Sequence, residues 1–393
     1  MIRVLSLSTL FPSAARPRFG LFVARQMQAL ARRGDVDLVM VHPVALAPPP
    51  FHRFINSPAE RALPASARDW DIDVHYPRFP WIPRHGARLN PALIARAVLP
   101  LARRLHAERA FDLVDAQFFW PDGPAAARVA AALGLPLSIK ARGSDIHLWS
   151  RRPFARRLML AAAEQASGLL AVSQALRQDM VALGMEAAKI AVHYTGLDHA
   201  RFRLLPRAQA RAACAGLVPT DGALLVSVGN LVPVKGQGLA IAALAELPEV
   251  RLVLAGSGPE EPRLRALAAQ LGLTNRVHFA GSVAPDALPA LLAAADVMVL
   301  PSSREGLANA WIEALACGTP LIIPDAGGAR EVVTSPAAGS IVERSPGAIA
   351  AAVRSLLASP PDRAETAAQA AGFSWEANGQ QLAENFGRIA GRV

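Results

Sequence analysis

Cysteine and lysine are scarce in this chain. Cys214 and Cys317 are its only cysteines, and lysine occurs at positions 140, 189 and 235 alone, against 38 arginines. Two widely spaced thiols argue against a disulfide scaffold and a cysteine-rich zinc site, and they fit a reducing compartment. Aromatic residues make up 6% and charged residues 18% of the 393 positions, whereas 52% are hydrophobic. Such a composition describes a globular, alanine-rich protein and excludes a disordered one. No uninterrupted apolar run reaches the roughly 18–20 residues of a membrane span. The first residues, MIRVLSLSTLFP, hold an apolar run too short for a secretory leader and read as a buried first strand. The expectation is a cytoplasmic protein, at most peripheral on the inner face of the membrane.

Positive charge is present but unevenly placed. Residues 1–195 hold 25 Lys and Arg against 14 Asp and Glu, a net of +11, while residues 196–393 hold 16 against 17. A basic half attracts nucleic acid, anionic lipid or a phosphate-bearing substrate. Few aromatics and no recognisable module count against nucleic acid. The plainer alternative is a solvated, arginine-rich surface.

The length suits two domains of roughly 150–200 residues. In the first half, β-like runs at 2–8, 36–44, 111–117, 135–142 and 168–173 alternate with helical runs such as 20–34, which ends on Gly34. A proline-rich, aromatic-containing region at 43–91 interrupts them and reads as a functional or mobile loop. A second series has strands at 222–229, 250–256, 276–281, 295–302 and 320–325. Their continuous apolar character suits parallel strands covered on both faces. Two βα series predict an α/β protein of two doubly wound domains with a cleft between them, the boundary falling near 195–205.

Ligands in such folds bind beyond the carboxyl ends of the strands, and the second half concentrates its polar features there. VGNLVPVKGQG (228–238) follows a strand and sets Lys235 between Gly229 and Gly236. AGSGPEEPRLRAL (255–267) carries Gly256 and Gly258, which permit backbone close to a ligand. PSSREGLANAWIEAL (301–315) is expected to open a helix at about Leu307, whose free N–H groups suit phosphate. Glu305 and Glu313 lie in this last stretch. In a continuous helix they would be about 12 Å apart, too far for a glycosidase pair at about 5–9.5 Å. The spacing fits a longer ligand with hydroxyls at both ends and charge in the middle, such as a nucleotide sugar. Two exposed helix-face glutamates are the competing reading.

The ordered set of motifs resembles the retaining family 4 glycosyltransferases. In the second half these are EGLANAWIE (305–313), GNLVPVKG (229–236), AGSGP (255–259), VHFAGSV (277–283) and DAGGAREVV (325–333). In the first they are TLFPSAARPRFGLFVARQMQAL (9–30), KARGSDIH (140–147), AVSQALRQDM (171–180) and YTGLDHARF (194–202). FSWEANGQQL (373–382) resembles the closing helix that returns to the first domain. The resemblance implies a GT-B fold, with two Rossmann-like domains facing across a cleft. Residues 1–195, with a helix at about 374–393, would bind the acceptor, and 196–373 the nucleotide-sugar donor. It implies a metal-independent hexosyl-type transferase without cofactor, acting on a glycan or lipid-linked saccharide in polysaccharide biosynthesis. Domain closure over the donor would use a hinge near 195–205.

The same resemblance implies residue roles. Glu305 would contact the transferred sugar, Glu313 the ribose, and the backbone of Gly306, Leu307 and Ala308 the diphosphate. Lys235 would neutralise the leaving group, Val283 would lie by the base, and Gly20 would approach donor phosphates or the acceptor. Displacement from the front face, with the departing phosphate assisting the incoming hydroxyl, is implied as well. Two positions depart from the pattern. Asn230 stands where an arginine is usual, removing one diphosphate cation. Arg142 stands where His-Gly-Ser-Asp begins in many members, ahead of Asp145. Arginine cannot act as a base, but it can bind phosphate or a sugar hydroxyl. The Asp-x-Asp in DWDID (69–73) reads as a strand edge or loop, so no metal site is expected.

Segments 84–109 and 149–160 mix arginine with large apolar residues and could lie on anionic lipid. Ordinary helices with one buried and one solvated face are the alternative. Two other functions stay open: a nucleotide-sugar hydrolase or epimerase on the same fold, and a non-catalytic nucleotide-binding partner subunit.

Overall fold

The structure is a computed structural model that describes residues 1–393 apart from 50, 83–85, 219–221 and 393. The chain divides into two units, Met1–Gly196 with Trp375–Val393, and Leu197–Ser374.

The first unit is built on an eight-stranded sheet. Its order is Ile190–Val192, Gly168–Ala171, Leu137–Ala141, Leu113–Ala116, Ile2–Leu7, Val36–Val41, Ile72–His75 and Ser66–Asp69. All neighbours are parallel except the last pair. Ile2–Leu7 sits near the centre because it is mostly apolar, with four of its six residues buried, and can be covered on both faces. The chain first moves to one side of it, to Val36–Val41, and later to the other, to Leu113–Ala116. That reversal opens a crevice at the carboxyl ends of these strands. Val4, Met27, Leu30, Met40 and Val74 form part of the core.

The closing helix Trp375–Ile389 belongs to this unit. It drives Leu382 and Phe386 into the same core, each worth about 1.5–3 kcal/mol of burial. Gly379 lets its backbone lie close to Ala29 and Leu30 on the helix Leu21–Ala31. Any larger side chain would push the two helices apart.

The described residues of the region 43–91 form short elements where a loop was expected. Val44–Leu46 pairs with Arg78–Pro80 in a small parallel sheet, and Ser66–Asp69 with Ile72–His75 in a hairpin. Pro58–Arg61 is one helical turn closed by a capping box between Ser57 and Glu60. The hairpin turn sets Trp70 and Asp71 at φ of 57° and 61°, a role usually given to Asn-Gly. Arg32 and Gln28 from a neighbouring helix grip the Asp71 carboxylate and support the turn. DWDID is this hairpin, and its acids are spent on Tyr76, Arg32 and Arg68.

The second unit carries a six-stranded parallel sheet in the order Val277–Gly281, Val250–Ala255, Ala223–Val228, Val297–Val299, Leu321–Ile323, Gly339–Ile341. Its reversal lies between Ala223–Val228 and Val297–Val299. Leu225, Ile241, Leu252, Leu264 and Ile349 are among the side chains that fill its core.

Candidate active site

The polar features of the second unit meet at its reversal. Lys235 ends a short turn of helix, Pro233–Lys235, after the central strand. Glu305 follows the adjacent strand Val297–Val299. The Lys235 ammonium donates to Glu305 Oε1 at 2.6 Å, across 70 residues of sequence. The two side chains are only 21% and 10% exposed, so the pair is sheltered from the full screening of water. Ser303 donates its N–H to Val234 O at 2.8 Å, which zips the two loops together beside the pair.

Helix Asn309–Ala316 starts two residues later than the sequence indicates. Ala308 is the cap residue, at φ −75° and ψ 120°. Glu305–Ala308 is therefore a separate approach segment, and the 12 Å helical spacing does not apply to it. Gly306, Leu307 and Ala308 are buried. Their N–H groups have no backbone acceptor among the described residues, the state expected where a helix begins. Glu313, half-buried, lies one turn inside. Gly327 buttresses the segment from behind. At φ +55° its Cβ would fall 2.2 Å from Glu305 O, and Gly328 N–H donates to Gly306 O at 2.8 Å. The sequence reading passed over this loop's structural task.

Gly256 and Gly258 serve the same end. A Cβ on either would strike the backbone of Gly229 or Leu231, at 2.0 and 2.3 Å. They let the loop bearing Asn230 and Lys235 seat against the next strand, a reason different from the close ligand approach expected of them. Asn230 itself is exposed and Val283 half-buried. Arg304 went unnoticed in the sequence. Its Nη1 is buried with no hydrogen-bond partner among the described residues.

In the first unit, Arg142 follows strand Leu137–Ala141 and is half-buried. It donates to Gln117 O and Gln117 Oε1, both at 2.7 Å, and lies over the Phe22 ring. Burial brings its guanidinium down to about 10, still charged near neutrality. Asp145 is engaged by its own chain. It is fully buried, and its two oxygens accept N–H groups from Phe119, Arg142, Gly143 and Ile146 at 2.8–3.2 Å. Its oxygens thus organise the loop that follows strand Leu137–Ala141. Gly20 is fixed by its own chain too. It is buried at φ +74°, and a Cβ would meet Leu10 at 2.6 Å, so what it approaches is the 9–11 backbone.

Beneath Arg142 lies a polar network that the sequence did not announce. Lys140, wholly buried, donates to Gln26 Oε1 at 2.9 Å and to His193 Nδ1 at 2.6 Å. His193 Nε2 in turn donates to Asn378 O on the closing helix at 2.9 Å. Desolvation holds both Lys140 and His193 well below their ordinary values.

The two basic segments bury their apolar sides in the fold. Ile94, Val98 and Leu105 of helix Asn90–Glu108 point inward, while Arg96, Arg103 and Arg104 are exposed. Ala155 and Met159 of Pro153–Gln165 do the same beneath exposed Arg156 and Arg157. Residues 84–85 lie outside the described residues. Leu89, at the start of the first segment, stays exposed. Among the described residues no helix is long and apolar enough to cross a membrane, and no group of three or more His, Cys, Asp or Glu could hold a metal ion.

Residues 215–372 match the family model "Glycosyl transferases group 1", and residues 51–201 match "Glycosyltransferase Family 4". A D-inositol 3-phosphate glycosyltransferase of Kineococcus radiotolerans is 31% identical over 322 residues, covering 73% of this chain and 74% of that protein. The chain belongs to glycosyltransferase family 4. The D-inositol 3-phosphate glycosyltransferase of Mycobacterium leprae (strain Br4923) is 36% identical over 218 residues, 52% of this family 4 chain and 50% of the relative. The match to that relative thus spans about half its length. Among solved structures, Anabaena HepE in complex with UDP and glucose has a TM-score of 0.75 at 23% identity, covering 98% of this chain and 99% of that one. The shared fold is GT-B, with two Rossmann-like domains.

Proposed function

We propose that this family 4 protein transfers a sugar, with retention, from a nucleotide sugar to a hydroxyl of a glycan or lipid-linked saccharide, without a metal ion. The observation that carries the reading is the Lys235–Glu305 pair at the strand reversal, beside the N–H groups of Gly306–Ala308, which have no backbone acceptor among the described residues. The second unit would hold the donor. Its diphosphate would accept hydrogen bonds from those N–H groups and from Lys235, its sugar hydroxyls would donate to Glu305, and Glu313 would accept from the ribose. As the bond from the sugar C1 to the phosphate oxygen breaks, Lys235 would offset the charge that develops there. The acceptor oxygen bonds to C1 from the same face, and its proton passes to the departing phosphate.

Lys235 alone is a small counter-charge for a diphosphate, because Glu305 already neutralises it. With Asn230 uncharged, Arg304 is the cation beside the pair in sequence, and its buried unpaired Nη1 makes it the candidate for the second charge. Arg142 would orient the acceptor or a phosphate oxygen from the first unit.

The test is binding followed by turnover. UDP, GDP, ADP and their sugar conjugates are screened by thermal shift without metal. One nucleotide should stabilise the protein selectively, and its sugar conjugate should support transfer. Lys235→Ala and Glu305→Gln should each lower transfer about 100-fold or more with unchanged circular dichroism. Wild-type rates in both variants would remove the assignment, and no shift with any nucleotide would favour a non-catalytic role.

A further inference from the structure

A cavity of about 520 Å³ opens within the first unit at the carboxyl ends of its central strands. Thr9 follows Ile2–Leu7, His42 follows Val36–Val41, and Pro121 lies beyond Leu113–Ala116; all three line it. The cavity thus occupies this sheet's own reversal, where α/β folds place ligands. Phe19, Phe79 and Trp149 supply aromatic walls, and the Trp149 ring is braced by stacking on Trp120 at 5.4 Å. Aromatic faces with a few convergent polar atoms are the usual make-up of a small-molecule site.

Three of the lining residues offer unspent acceptors. His42 Nδ1 lies 2.9 Å from Ser8 O. Since a carbonyl can only accept, Nδ1 carries the hydrogen, and Nε2 is left as an acceptor with no partner among the described residues. Burial holds His42 below its ordinary value and so keeps it neutral. Thr9 spends its hydroxyl hydrogen on Asp122 at 2.8 Å, which leaves its oxygen lone pairs. Asn90 Oδ1 is buried with no partner among the described residues. Among the described residues the one cation of the lining is paired as well: Arg16 Nη2 meets Glu60 Oε1 at 2.6 Å, and Ser57 N–H and Asn56 Nδ2 hold the other Glu60 oxygen. Balanced charge and unspent acceptors favour a ligand that donates O–H groups. A phosphate, which brings charge, meets no net counter-charge there among the described residues.

We propose that this cavity is the acceptor subsite, and that it takes an uncharged, hydroxyl-bearing sugar ring while discriminating against a ring that carries phosphate. The proposal rests on the transferase reading and narrows its acceptor class. It also separates this chain from relatives whose names specify inositol 3-phosphate.

Glu60→Gln provides the decisive variant. Glutamine keeps the capping-box hydrogen bond but releases the Arg16 charge into the cavity. Saturation-transfer NMR on the full chain would compare methyl α-glucoside, α-galactoside and α-mannoside with the corresponding 6-phosphates, and UDP and GDP binding would be read in the same samples. Wild type should bind one uncharged glycoside about tenfold more tightly than its phosphate. Glu60→Gln should erase or reverse that preference, with inorganic phosphate becoming a competitor only in the variant. Equal or tighter binding of the phosphate by wild type overturns the proposal, as does an unchanged preference in Glu60→Gln. Nucleotide binding with no glycoside binding sinks the subsite and spares the transferase reading; loss of both sinks the reading beneath it.

Discussion

Asp145 and Asp122 have the same side chain and similar burial, and each is tied to backbone donors rather than to open space. Four N–H groups saturate Asp145, whereas Thr9 meets Asp122 through its N–H and its hydroxyl, both at 2.8 Å. Burial outweighs those two bonds and raises the Asp122 carboxyl from 3.8 to about 7. The sign of the resulting pH dependence follows directly. Between these values the unfolded chain releases a proton that the folded chain keeps, so folding binds the proton. The Asp122 contribution is complete below about pH 4 and is lost as pH rises to about 7. Asp122→Asn, which cannot titrate, should therefore gain stability relative to wild type across that window. Paired melting curves at pH 4.5 and 7.5 check it, and a melting-temperature difference that does not change with pH would assign the raised value to the wrong group.

Single residue types mark where chemistry is concentrated, and less reliably what each group touches. Lys235 and Glu305 stand together as a sequence reader would hope, because both follow neighbouring parallel strands. Asp145 and Gly20 lie in equally suggestive motifs, yet their polar atoms or open side turn toward their own chain.

Among the elements, the long apolar strands were legible, since a continuous run of Val, Leu, Ile and Ala has few homes other than a covered parallel strand. The short polar pieces were not. Ser66–Asp69 and Ile72–His75 pair across a Trp70–Asp71 turn that Arg32 and Gln28 help to hold, and no local pattern announces that support. The start of helix Asn309–Ala316 was read two residues early for a related reason. The 325–328 loop, pressed against Glu305–Gly306, keeps that stretch extended. Gly327→Ala should consequently displace Glu305. At φ +55° and with 2.2 Å to Glu305 O there is no room for a methyl group. A shift near 1 Å is enough to lower transfer about 100-fold, with nucleotide affinity reduced and the far-UV spectrum retained. Wild-type transfer by Gly327→Ala would show that the buttress plays no part.

For the whole molecule, the closing helix is the element whose place matters most. Its Leu382 and Phe386 complete the core of the first unit, and His193 reaches the Asn378 carbonyl from the buried Lys140 network. Truncation after Ser374 should open that core and leave Lys140 and His193 without closure. We expect the first unit to become protease-sensitive and to lose its cooperative transition, whereas residues 197–374 keep their fold and nucleotide binding. Limited proteolysis with and without nucleotide measures both. Equal resistance of the first unit in truncated and intact protein would show that the helix is dispensable.

The sequence by itself determined the α/β class, the two runs of alternation and the loops that carry Lys235 and Glu305. These depend on local signals: residue type, spacing and the length of apolar runs. The tertiary structure decided which of those residues are spent. It pairs Lys235 with Glu305 across 70 residues and Lys140 with Gln26 across 114, closes Asp145 with backbone donors, and cancels Arg16 with Glu60. Hydrogen-bond capacity and charge are properties of side chains, but whether any remains for a ligand depends on neighbours that only the folded topology brings within reach.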